Sequence, residues 1–257
     1  MNNKNYEYQN IIFSDEEYVD RPGYKHRMLQ LENGSFENMS GLEHLKSSYT
    51  LEQLIKKIGN VSEFSIRHYR LTNILLNKLI KNLPPTIKKL KINCGEDINL
   101  DLTYIPETIE SIWFLAKSIS KNTIDALPIN LKKIIFSHVL DFPLDNLPPG
   151  LETLVLYNPV FPLDNLPNTL NTLKTLIING IKLNIDLNNL PDSIENIYID
   201  KRILNRLTKI PQKLTTLYII SVHSLMGNID NDEYKKNIPG NVKIPELYRH
   251  VMSYKFF

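Results

Sequence analysis

Three apolar positions recur along the chain in the spacing Leu-x-x-Leu-x-Leu. They fall at Ile87-Leu90-Ile92, Ile109-Ile112-Phe114, Leu131-Ile134-Phe136, Leu151-Leu154-Leu156, Leu173-Leu176-Ile178, Ile194-Ile197-Ile199 and Leu214-Leu217-Ile219. The first members are 22, 22, 20, 22, 21 and 20 residues apart, and a weaker copy precedes them at Val61-Phe64-Ile66. Polar residues fill most of the intervening positions. A Leu-Pro or Ile-Pro step stands ahead of each triplet, at Leu83-Pro84, Ile105-Pro106, Leu127-Pro128, Leu147-Pro148, Leu166-Pro167, Leu190-Pro191 and Ile210-Pro211. After Leu166-Pro167 the segment "NTLNTL" lengthens the gap by three residues.

A period near 21 residues is that of one coil in a leucine-rich-repeat-like solenoid. The alternating "LxI" predicts a short strand whose two apolar side chains point into the coil. Successive strands are then expected to pair in parallel at a spacing of about 4.8 Å. One coil cannot bury its own apolar face, so neighbours must stack into a continuous core. Proline lacks an N–H and has a fixed φ, so it belongs outside the ladder, on the return segment. There Leu100, Ile124, Leu144, Leu163, Leu187 and Leu207 are further candidates for the core.

The pattern resembles the FNIP repeat, a leucine-rich-repeat variant common in slime moulds and in giant viruses that infect amoebae. "IPETIESIWF" (105–114), "LPPTIKKLKI" (83–92) and "LPDSIENIYI" (190–199) match the first half of its unit. "FPLDNLP" at 142–148 and 161–167 keeps the Phe of its second half but not the Asn, and a Gly stands two residues after a triplet only at Gly180. The resemblance covers residues 58 to 225. It implies a solenoid with its parallel sheet on the concave face and irregular, proline-containing returns. It also implies protein binding, in some members as a ubiquitin-ligase substrate adaptor with an F-box. Residues 1–57 show no Leu-Pro-x-x-Leu helix start of that kind.

A solenoid needs capped ends. "YTLEQLIKKI" carries Leu51, Leu54, Ile55 and Ile58 at helical spacing, with Thr50 and Gln53 placed for a capping box. The predicted organisation is an N-terminal segment over 1–57 with a capping helix near 48–58. A solenoid of about eight repeats follows over 58–225, then a helical C-terminal cap over 226–257. In that cap Ile244, Leu247, Tyr248 and Val251 share one face.

Composition narrows the function. Thirty basic residues against 28 acidic ones give a formal net charge of +2, too balanced to point to nucleic acid or a membrane surface. The single cysteine, Cys94, excludes a disulfide framework. No signal-peptide run and no membrane-length apolar stretch occurs, so a soluble cytoplasmic protein (host cytoplasm if viral) is expected. Phosphate-loop, dinucleotide, nucleophile-elbow and zinc-protease motifs are missing, and the six histidines are scattered. The expectation is a non-enzyme with no cofactor and no metal.

What remains is the strand face turned away from the core. Its central column reads Lys91, Trp113, Ile135, Val155, Ile177, Tyr198 and Tyr218. Lys89 precedes this column in its strand, and Leu115, Tyr157, Asn179, Asp200 and Ile220 follow it in theirs. An exposed apolar stripe marks an interaction site, and Trp and Tyr anchor interfaces. The partner-binding residues read from sequence are therefore Lys89, Lys91, Trp113, Leu115, Ile135, Val155, Tyr157, Ile177, Tyr198 and Tyr218. The occupant is expected to be a protein or peptide. A homodimer through the same face is the alternative, as is cover by the chain's own first 40 residues. RNA binding through Lys88, Lys89, Lys91, Lys132 and Lys133 stands behind both.

Overall fold

The structure is a computed structural model. It describes residues 11–14, 27–31, 62–68, 77, 79–94, 99–116, 118–137, 140, 142–160, 163, 166, 170–180, 187–220 and 238–245. The chain divides into two compact units, Met1–Leu131 and Lys132–Phe257.

In the first unit the repeat forms strands β3 (Glu63–His68), β4 (Lys89–Cys94) and β5 (Ser111–Leu115), all parallel. The register sets Phe64 beside Leu90 and Leu90 beside Ile112, then Ile66 beside Ile92 and Ile92 beside Phe114. The weak first copy thus forms a parallel strand in register with those that follow. Two further strands lie ahead of it. β1 (Ile11–Ser14) pairs antiparallel with β2 (Arg27–Leu31), and β2 pairs in parallel with β3. The sequence reading assigned no strand to this segment. "IIFS" is too short to carry a period, and its partner lies beyond the reach of local pattern. These two stretches lie in the sheet beside β3, so they do not lie across its face. The expected capping helix near 48–58 falls outside the described residues.

In the second unit β6 (Lys133–Phe136), β7 (Thr153–Tyr157), β8 (Thr175–Asn179), β9 (Asn196–Asp200) and β10 (Thr216–Ile220) run in parallel. Ile134, Leu154, Leu176, Ile197 and Leu217 form one column, and Phe136, Leu156, Ile178, Ile199 and Ile219 form the next. All ten are buried, as are the predicted return-segment residues Leu144, Leu163, Leu187 and Leu207 here and Leu100 and Ile124 in the first unit. A period of 2 with branched side chains on one side is enough to fix this register, because a slip by one residue would turn the core columns outward.

Six of the Leu-Pro and Ile-Pro steps ahead of the triplets share one job. The proline carbonyl accepts a hydrogen bond from the N–H three residues on, which is the first apolar residue of the triplet. In the first unit Pro84, Pro106 and Pro128 bind Ile87, Ile109 and Leu131 at 3.0–3.1 Å. In the second, Pro148, Pro191 and Pro211 bind Leu151, Ile194 and Leu214 at 3.1–3.2 Å. The fixed proline φ suits the second position of no ladder but suits a tight turn well. In the lengthened coil Leu170 takes this place, binding Leu173 N–H at 3.3 Å. A hydroxyl or amide side chain just before the triplet then reaches the preceding coil. Thr108 Oγ1 donates to Ile87 O at 3.1 Å, Thr172 Oγ1 to Leu151 O at 2.9 Å and Ser193 Oγ to Leu170 O at 2.9 Å. A carbonyl ahead of each strand accepts two successive N–H groups from the next coil. Lys88 O takes Glu110 and Ser111, Glu152 O takes Lys174 and Thr175, and Glu195 O takes Thr215 and Thr216.

The return segments are partly helical rather than irregular. Asp101 caps a 3-10 turn at Leu102–Tyr104, Ser120 caps helix α1 (Lys121–Asp125), and Asp200 caps a 3-10 turn at Lys201–Arg206. The fully buried Thr123 hydroxyl accepts from Leu100 N–H at 2.7 Å and donates to Leu100 O at 3.1 Å.

The repeat also runs past residue 225. Ile238-Pro239 builds the same turn, with Val242 N–H on Pro239 O at 2.9 Å, and Lys243 bridges Thr216 in parallel. Residues 238–245 are therefore a further coil edge and not part of a helical cap; residues 246–257 of that cap fall outside the described residues. Seventeen residues separate Ile220 from Ile238, where nine or ten separate β8 and β9 from the Leu-Pro or Ile-Pro step that follows, and this longer connection hid the copy from a constant-period search.

Gly180 follows β8 where the chain passes Asn158, which has φ 50° and donates its N–H to Asn179 O at 2.7 Å. A Cβ on residue 180 would lie 2.7 Å from Asn158 Cα and 2.6 Å from its Oδ1. Gly180→Ala is expected to cost about 1–3 kcal/mol in urea unfolding, because backbone must shift. Gly240→Ala, where a Cβ meets nothing within 4 Å, should stay within about 0.5 kcal/mol of wild type.

Candidate functional site

The side chains between the core columns point to the opposite side of each sheet. In the first unit this row is built by β3, β4 and β5. Register places Glu63 beside Lys89 and Lys91 beside Trp113. Lys89 Nζ forms an ion pair with Glu63 Oε1, and the Glu63 side chain is almost wholly buried. Lys91 Nζ lies 3.4 Å from the Trp113 ring centroid. Such a contact contributes about 0.5–1 kcal/mol at a partly exposed site, and it locks two long side chains into one orientation. Trp113 and Leu115 are half-buried, as are Lys89 and Lys91. Outside this row Lys88 Nζ lies 3.6 Å from Glu110 Oε1. The lysine cluster of the RNA reading is thus engaged with carboxylates and a ring in this unit. Glu63 escaped the sequence reading, although the alignment of Val61-Phe64-Ile66 already sets it in the column of Lys89.

The second unit departs from expectation. Ile135, Val155 and Ile177 are 4%, 1% and 0% exposed, so the centre of this face is interior and not a free apolar stripe. Ile220 is buried as well, and Asp200, expected to face outward, is 1% exposed. Leu154 and Leu156 are equally buried on the other side of β7. Both faces of β6, β7 and β8 are therefore covered. A signal for this stands in the sequence: their cores read IIF, LVL and LII, unbroken apolar runs of the kind found in strands buried on both faces. β4, β9 and β10 read LKI, IYI and LYI instead.

Asp200 is satisfied in its buried place by Arg202. The guanidinium donates from Nε to Oδ1 at 2.8 Å and from a terminal nitrogen to Oδ2 at 2.5 Å, and the Arg202 N–H donates to Oδ1 at 2.9 Å. The carboxylate holds the Arg202 pKa above its ordinary value. This pair orders the start of the 3-10 turn and presents no free charge to a ligand.

At the far side of this face Tyr198 and Tyr218 stack with ring centroids 4.1 Å apart and planes 5° from parallel. Both are half-buried, as are Tyr157 and Asn179 on the neighbouring strands. Burial pushes the Tyr157 phenol pKa up, since the phenolate would lose its water. A raised folded pKa favours the protonated fold. Stability from this group is present below the unfolded tyrosine value of about 10 and is lost as pH rises through the folded value. Thermal unfolding above pH 10 should fall more steeply for wild type than for Tyr157→Phe.

Among the described residues no group of three or more His, Cys, Asp or Glu side chains is placed to hold a metal ion. Among them, too, no helix is long and apolar enough to cross a membrane. No known protein-family model matches the chain, and no curated protein matches it in sequence.

Proposed function

We propose that this chain is a leucine-rich-repeat-like solenoid of the FNIP type and acts as a non-enzymatic interaction module. The outward strand face of each unit, the concave one in such a solenoid, binds a protein or peptide. The observation that carries this reading is that the outward row is furnished with locked aromatics. Lys91 is held on Trp113 in the first unit, and Tyr198 is stacked on Tyr218 in the second. Rigid, half-buried aromatic and cationic side chains lose little rotamer freedom on binding, and they are the residue types that anchor interfaces. Ile135, Val155 and Ile177 leave the set of contact residues, because the folded chain already buries them. Lys89, Leu115 and Tyr157 stay at its rim.

The test is the double variant Trp113→Glu with Tyr198→Glu. The protein that co-purifies with the wild-type chain from its native cell should be lost, while circular dichroism and melting stay unchanged. Undiminished capture by the folded variant would overturn the proposal. Light scattering of the purified chain belongs beside it. A monomer at micromolar concentration leaves the face to a different protein, whereas a dimer that the double variant dissociates makes a second copy the occupant.

A further inference from the structure

We infer that Asn179 is a site of spontaneous deamidation, and that its contact with Asn158 in the neighbouring coil holds the reaction in check. The chain contains two Asn-Gly steps, Asn33-Gly34 and Asn179-Gly180. The first lies outside the described residues. Asn-Gly is the step most prone to cyclise, because glycine puts no side chain in the way of its own N–H and leaves the backbone free to turn. At Asn158 the same chemistry is closed, since Pro159 follows and has no N–H. The fold keeps the reactive pair at 179 and 180 together. β8 ends at Asn179, and a Cβ on residue 180 would lie 2.7 Å from the Cα and 2.8 Å from the N of Asn158. Glycine is therefore required at 180, and no bulkier neighbour can shield Asn179 as Ile197 shields Asn196.

The reaction needs only water and hydroxide. The Gly180 amide gives its proton to hydroxide, and its nitrogen pair forms a bond to Asn179 Cγ. The bond from Cγ to the side-chain nitrogen breaks, and that nitrogen leaves as ammonia with a proton from water. Water then adds to one of the two carbonyls of the cyclic imide. Cleavage between the Gly180 nitrogen and Cγ restores the ordinary chain with aspartate at 179. Cleavage between that nitrogen and the backbone carbonyl routes the chain through Cγ as isoaspartate, with an extra carbon in the backbone. Nothing is oxidised or reduced.

Ring closure requires Asn179 to turn about ψ, out of the extended form, until Cγ meets the Gly180 nitrogen. Asn179 is the last residue of β8, and its carbonyl accepts the Asn158 N–H at 2.7 Å. Turning ψ swings that carbonyl away and breaks the bond. Gly180 is also buried, which keeps hydroxide from its N–H. Asn158 aims its donor through a left-handed φ of 50°, a conformation that Asn tolerates and a β-branched residue does not. The rate at Asn179 is thus the intrinsic rate multiplied by the fraction of time this edge stands open. Isoaspartate makes the opening permanent. The longer backbone carries the carbonyl out of line with Asn158, and a new carboxylate stands at the register position beside Tyr157.

The test ages the full chain at mildly alkaline pH and maps Asn, aspartate and isoaspartate at residue 179 by mass spectrometry. The same chain unfolded in urea supplies the intrinsic rate. Conversion at Asn179 in the folded chain is expected to run at least about tenfold slower than in the unfolded one. Asn158→Val, whose side chain disfavours a left-handed φ, should speed it several-fold with circular dichroism unchanged. An unfolded chain that converts at Asn33 but not at Asn179 would overturn the site. Equal rates in the folded and unfolded chains would overturn the gate, as would a folded Asn158→Val chain that converts at the wild-type rate. Should that variant fail to fold, sub-denaturing urea on the wild type replaces it. The rate at Asn179 should then climb in step with hydrogen exchange of the Asn158 amide, and a rate that ignores this exchange counts against the gate. No partner enters the measurement, so its outcome is independent of the proposed function.

Discussion

Replacing Ile177 with aspartate is expected to remove about 4 kcal/mol or more of stability from the second unit, in a position that the strand pattern alone marks as surface. The substitution gives up the burial of a branched side chain, about 2–3 kcal/mol. It also places a carboxylate where nothing is exposed, at a further cost of several kcal/mol. A loss of that size takes a large share of the roughly 5–15 kcal/mol that holds an ordinary domain together. The carboxyl pKa in the fold would be raised by the same desolvation, so the deficit should shrink as pH falls from that raised value towards about 4 and stay constant below it, where both states are protonated. Asn93→Asp at a half-exposed position of the first unit should cost no more than about 0.5 kcal/mol. Urea unfolding at neutral and acid pH checks both. An Ile177→Asp chain as stable as wild type would mean that this face is open to water.

Phe136→Ala is the second large effect, at about 3–5 kcal/mol for a fully buried aromatic removed from a packed column. Its ring sits beside Leu156 in the core column of β6 and β7 and is 0% exposed. A repeat fold spreads such damage only to neighbours, since each coil touches the one before and the one after. Amide hydrogen exchange should therefore accelerate first in β6 and β7 and later, if at all, in β10. Uniform acceleration through residues 133–220 would show that this unit melts as one body instead.

These two sites mark what local pattern can and cannot convey. Phe136 was legible, because a period of 2 within a period of 21 leaves one register that puts every Leu and Ile of the triplets inside. The Leu-Pro step was legible for a similar reason: a locked φ and a missing N–H leave proline few places to stand. Ile177 was not, since the alternation of a strand tells which residues share a face and not whether that face is wet. The unbroken runs of β6, β7 and β8 held the missing information, but only composition across neighbouring strands reveals it. Asp200 was misplaced for a related reason. Its carboxylate is held by Arg202 two residues later, a local pairing that no column of the repeat displays. β1 and β2 were invisible because their partners are fixed by tertiary pairing, and the coil at Pro239 because a longer connection broke the period.

The carbonyl that accepts two N–H groups from the following coil has a consequence for how such a chain changes length. Lys88, Lys132, Glu152, Lys174 and Glu195 each offer the same pair of bonds to whichever coil comes next. The joint between neighbours is thus a standard fitting, indifferent to which copy stands on either side. Whole coils can be gained, lost or exchanged during descent with every joint intact, whereas the loss of one residue inside a strand would misalign all that follow in it. Genomes carrying this protein should vary in its number of copies far more readily than in the length of any one strand.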